Sequence, residues 1–280
     1  MVWDRFHFLC RRYHQLLQSG EVFREAVVSV ESANGVELYG KPLEKDTIPS
    51  NLIFALKALS DPQQIKKITN IYGQLDFSDD LEEPPKLRKA KVYVTFVAIV
   101  FFMVYAIYQF FVTPVFTSMF EAFQTAPTGY MAWYVNNWYL PIVVVFLCIA
   151  ILFAICSQIN KLYKFKVFSP DSVFYRFFIP NRIKNSYSNI IEIVSFPLSE
   201  EMNQPEQQKT IISRHLEQVE NSDLITEIHI LLRREGKNLA QYSEHFILSM
   251  MVVIFILIII SIFFFLSSAY APIFMMGELV

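Results

Sequence analysis

VYVTFVAIVFFMVYAIYQFFV, residues 92–112, runs for 21 residues without a charge, and Thr113 and Pro114 follow at once. At about 1.5 Å per residue a helix of that length covers roughly 30 Å, the thickness of a bilayer's hydrocarbon core. Two further runs repeat the pattern: residues 138–156, 19 in number, and residues 246–266, rich in Ile and Phe. Any one of them alone could be a buried core helix, but three uncharged runs this long predict three membrane spans. Composition agrees, since 54% of the 280 residues are hydrophobic and 16% aromatic, with a mean hydropathy of +0.34.

Direction follows from Lys and Arg near the ends of the spans. Lys86, Arg88, Lys89 and Lys91 precede the first. Lys161, Lys164 and Lys166 follow the second, and Arg233, Arg234 and Lys237 precede the third. Residues 113–137 and 267–280 contain neither Lys nor Arg. The bias places the N-terminus in the cytoplasm and the C-terminus outside, with Trp133, Tyr134, Trp138 and Tyr139 as an outer aromatic belt. The first basic cluster serves as a topology signal, with contact to anionic lipid as a modest extra role. Residues 1–18 are broken by Asp4, Arg5, Arg11 and Arg12, so no signal peptide is expected and the first span acts as the insertion signal.

The remaining chain divides into two cytoplasmic regions, residues 1–91 and 157–245, an outer loop and an outer tail. Both regions read as short amphipathic helices, each region a small helical bundle, and the whole as an all-α membrane protein. Asp61 and Pro62 start a helix with Ile65, Ile68 and Tyr72 inward, and Gly73 is placed to end it. Pro205 is expected to open a helix with Ile212, Leu216 and Val219 inward. Another follows with Leu224, Ile228, Leu231 and Leu232 inward and Gly236 at its end. In the outer loop, Phe111, Val112, Val115, Phe116, Met119, Phe120 and Phe123 recur at helical spacing. Span one therefore bends at Pro114 and continues, either as an interfacial helix or as a core-packed tip.

Several chemistries are disfavoured. A net charge of −2 gives no reason to expect nucleic acid. The three cysteines, Cys10, Cys148 and Cys156, offer no disulfide framework. The spans hold no Asp, Glu, Lys, Arg or His, which counts against ion-coupled transport, and no Gly for close helix crossing. Ser249 and Ser261 have no intramembrane base, and no phosphate-binding Gly-rich loop exists. His7, Cys10 and His14 share one helix face, but the outer two lie about 10 Å apart along the axis, too far to share an ion. A packed helix face is the expected reading, and no catalytic, cofactor or metal residue is assigned.

Residues 91–120, KVYVTFVAIVFFMVYAIYQFFVTPVFTSMF, resemble the inner-membrane platform, or F, proteins of bacterial type II secretion and type IV pilus machines. The matching positions are Lys91, Tyr93, Val112, Pro114, Phe116 and Phe120. The end of the chain, Ala269-Tyr270-Ala271-Pro272-Ile273-Phe274, is similar to the family's closing motif. Leu16-Leu17-Gln18-Ser19-Gly20 with Ala26 matches its opening one. The chain departs from the family where Val94 and Val22 replace prolines, and only Ser195-Phe196-Pro197-Leu198 echoes a second domain copy.

The resemblance implies a non-enzymatic platform in the bacterial inner membrane that couples a cytoplasmic assembly ATPase to extraction of pilin or pseudopilin. It implies contact with other inner-membrane assembly proteins and a homo-oligomer. The rival reading is a transporter or channel subunit, whose polar lining would rest on Thr95, Tyr105, Tyr108 and Gln109. A liposome flux assay separates the two, and no flux is expected.

Overall fold

A computed structural model describes residues 2–77, 81, 83–122, 132–133, 136–166, 173–199, 210–220 and 223–278. The described residues are helical, with no strands and a single isolated bridge between Thr47 and Lys166. Three helices are long and apolar enough to cross a membrane: Pro85–Val115, Tyr139–Tyr163 and Leu224–Phe264. The chain forms two compact units, Met1–Pro84 with Gln158–Ser243, and Pro85–Ser157 with Glu244–Val280.

The first unit corrects the expectation of two separate bundles, because both sequence regions contribute to one core. Its helices are α1 (Val2–Gln18), α2 (Phe23–Glu31), α3 (Ile48–Ala58) and α4 (Pro62–Gln74) from the first region. In the second unit, α5 (Pro85–Ile107) leads through a short turn into α6 (Thr113–Ala122), and α7 is Tyr139–Tyr163. The second region of the first unit adds α8 (Val173–Phe178), α9 (Asn181–Ser199), α10 (Ile211–Gln218) and the start of α11 (Leu224–Glu278). Neither region has enough apolar surface for a deep core of its own at this size. Trp3 of α1 lies 5.1 Å from the ring of Phe165, and Phe165 stacks on Tyr187 of α9 at 6.0 Å. The Tyr72 hydroxyl donates to the Val194 carbonyl at 2.7 Å. Pro197 has no N–H for the Ile193 carbonyl one turn back, the neighbour of the carbonyl that Tyr72 meets.

His7 sits at the centre of this core, 2% exposed. Its Nδ1 lies 2.8 Å from the Tyr72 carbonyl, and the Phe77 amide lies 3.3 Å from its Nε2. A carbonyl only accepts and an amide N–H only donates, so the ring is neutral with its proton on Nδ1. Tyr72 stands in the last turn of α4, where carbonyls lack helical partners, and His7 supplies one. Burial lowers the pKa of His7 from 6.5, more than the Tyr72 carbonyl, Asp76 and Asp4 raise it.

Helix ends follow local chemistry. The Asp61 side chain accepts from the Gln63 amide and Pro62 opens α4, as expected. Gly73 does not end the helix. It lies inside α4, where an added Cβ would stand 3.1 Å from Cγ and 3.3 Å from Cα of Arg11, so it lets α4 approach α1 closely. Gly236 likewise lies inside α11, buried, and the expected terminus is absent because the stripe Leu224, Ile228, Leu232, Leu239 and Ser243 continues through it. Pro205 is outside the described residues. The helix carrying Ile212 and Leu216 runs Ile211–Gln218, with Val219 just past its end, and is capped by Thr210, which accepts from the Ser213 amide.

The opening motif is a helix stop. Gly20 takes φ +93°, and the Glu21 amide reaches back to the Leu16 carbonyl at 3.1 Å, a six-to-one closure. Leu16 and Leu17 are half-buried, and Ala26 is fully buried in α2. Gly20→Ala should destabilise this unit by about 1–2 kcal/mol, because an L side chain disfavours positive φ. Urea unfolding followed through Trp3, the one tryptophan in this unit, measures it. Ser195-Phe196-Pro197-Leu198 is not a second copy of that stop: it lies within α9, and the Ser195 hydroxyl donates to the Ile191 carbonyl of its own helix.

Candidate functional site

Within the second unit, α5 and α11 border an apolar groove of about 200 Å³. Val100, Phe101 and Val104 line one side and Ile258, Ser261 and Ile262 the other. Its two hydroxyls are engaged within the chain: Ser261 donates to the Leu257 carbonyl at 2.8 Å, and Tyr105 donates to the Trp138 carbonyl. The groove therefore presents hydrocarbon and no unmet polar group among these lining residues. Around it the spans leave large side chains uncovered, with Phe96 65%, Phe110 74% and Phe263 66% exposed. Apolar exposure on this scale belongs against lipid or another apolar helix.

Span one is interrupted where Pro114 was expected to bend it. Tyr108–Val112 form a π turn, and the Thr113 amide bonds the Tyr108 carbonyl five residues back. Proline has no N–H for the Phe110 carbonyl and its ring crowds that group, so one extra residue in the preceding turn relieves the crowding. The Thr113 hydroxyl lies 3.5 Å from the same Tyr108 carbonyl. Helix resumes as α6. Pro114→Ala should return the turn to α register and rotate α6 by about 100° relative to α5. Cysteine labelling along residues 113–122 should then shift its periodicity by one position. An unshifted pattern would place the cause of the turn elsewhere.

The resemblance-derived residues are divided between the two units. Leu16, Leu17, Gly20 and Ala26 form the α1–α2 corner of the first unit, whereas Tyr93, 57% exposed, and Pro114 lie on span one. Tyr270 is exposed on α11, and Pro272 and Phe274 fall within the same helix, their side chains outside the described residues. The side chain of Phe116 is also outside them. Of the basic cluster, Lys86 pairs with Glu244 at 2.9 Å, Lys89 is exposed, Lys91 is half-exposed, and the Arg88 side chain is not described. Glu244 is the last acid before the third apolar run, and its position there was the available signal for that pair. The Tyr105–Trp138 bond had none, because it uses a backbone carbonyl.

His7, Cys10 and His14 each serve packing or local bonding. Cys10 is fully buried, which pushes its thiol pKa up. His14 meets the Lys66 carbonyl and Gln18. Among the described residues no three metal-binding side chains gather. No family model, curated protein or solved structure matches this chain.

Proposed function

We propose that this chain is a non-enzymatic inner-membrane platform of a type IV pilus or type II secretion machine, with a cytoplasmic N-terminus and a periplasmic C-terminus. In this reading it couples a cytoplasmic assembly ATPase to the extraction of pilin or pseudopilin, alongside other inner-membrane assembly proteins and further copies of itself. The observation that carries the reading is the apolar groove on α5 and α11. Its hydroxyls are already bonded, so it suits van der Waals contact with an apolar helix rather than passage of ions. The motif resemblances in residues 16–26, 91–120 and 269–274 supply the family. One helical core built from two regions supplies a body able to receive mechanical work.

The test places photo-crosslinking residues at Val100 and Ile262 in the groove, and a general crosslinker on the extramembrane unit, in the native membrane. The groove should yield a small protein with an apolar N-terminal helix, and the helical unit an assembly ATPase. Recovery of neither from abundant, folded protein would sink the reading. Reconstituted liposomes should show no flux.

A further inference from the structure

Arg5 and Leu9 of α1, Glu31 of α2, and Ile53, Phe54 and Lys57 of α3 border a second cavity, of about 340 Å³, wholly within the first unit. Its floor is apolar, with Leu9 and Ile53 buried, and its lip is Phe54, 76% exposed. Lys57 and Glu31 neutralise each other at 2.7 Å. Arg5 is different. Its guanidinium is half-buried and Nη1 donates to the Gly40 carbonyl at 2.9 Å, while among the described residues no carboxylate pairs with it. A guanidinium carries five N–H donors, and holding its charge partly out of water without an anion is unfavourable. Among the described residues the cavity thus presents one positive charge without an ion-pair partner above an apolar floor.

We propose that this cavity is a docking site for a segment of a partner protein that presents a carboxylate side chain next to an apolar one. The carboxylate meets Arg5, the apolar side chain fills the floor, and the partner's surface covers Phe54. The exposed Phe54 ring at the rim favours an occupant with an apolar surface of its own, as a protein segment has, over a free small anion. Arginine and aromatic residues, Phe included, are also enriched at protein interfaces. The inference goes beyond the platform reading and holds whichever machine the chain serves.

The test uses the full chain in its own membranes, with a photo-crosslinking residue in place of Phe54 and the attached peptide identified by mass. That peptide should carry Asp or Glu within three residues of the attachment point. Arg5→Gln should reduce its yield by about tenfold or more, the scale of a lost desolvated charge pair, while Arg12→Gln, exposed on the same helix, should leave it unchanged. A synthetic peptide of the captured sequence should bind the unaltered chain about tenfold tighter than its Gln or Asn counterpart, a measurement independent of whether the Arg5 variant folds. No crosslink above the dark control, adducts with lipid alone, a captured peptide lacking acids, or equal binding of the acidic and amide peptides would each overturn the proposal.

Discussion

Phe165→Ala should destabilise the first unit by about 3–5 kcal/mol, the range for deleting a buried phenyl ring. The ring is 1% exposed and lies between Trp3 and Tyr187, so it joins the two sequence regions that share this core. Its backbone also contributes, because the Phe165 carbonyl accepts the Ile48 amide at 2.8 Å near the start of α3. The same residue takes φ +51°, unusual for a side chain of this size. Packing must therefore outweigh a left-handed backbone penalty of about 1–2 kcal/mol. Phe165→Gly tests that balance: it removes the ring and the penalty together, so it should be about 1 kcal/mol less harmful than Phe165→Ala. Urea midpoints through Trp3 fluorescence give both values. A loss below that of an ordinary surface substitution for Phe165→Ala would show that the two regions do not depend on this ring.

His7→Phe should cost about 2–6 kcal/mol although the aromatic bulk is kept. It leaves the Tyr72 carbonyl and the Phe77 amide without their partner, at about 1–3 kcal/mol for each buried group. Its second signature is the dependence on pH. In the unfolded chain the imidazole protonates near 6.5, whereas burial holds the folded pKa below that value. Between the two, the unfolded state binds more protons, so stability is full above about pH 6.5 and falls as pH drops toward the folded pKa. The His7→Phe protein should lack this slope. A variant that loses stability but keeps the full slope would assign the acid sensitivity to another group.

The spans were legible because lipid imposes one simple demand, a long uncharged helix, and residues 92–112, 138–156 and 246–266 meet it openly. Starts of helices were legible where a side chain caps them, as at Asp61 and Pro62. Stops at glycine were less so. Gly20 stops a helix because its φ is positive, while Gly73 and Gly236 lie inside helices, and sequence spacing does not distinguish a turn from a close crossing. The single core escaped sequence reading for a similar reason. Trp3, Tyr72 and Phe165 each look like ordinary apolar positions, and nothing local says that their partners lie across two membrane runs. The apolar groove depends on which faces of α5 and α11 meet, and periodicity is faint where every position is hydrophobic.

That shared core also sets an order of events during synthesis. Trp3 leaves the ribosome 162 residues before Phe165, a delay of roughly 10–30 s at common elongation rates. Through that interval the first four helices must wait with an unfinished aromatic face while two spans are threaded into the bilayer. Insertion of span two is in effect a checkpoint on the folding of a domain that begins at residue 2.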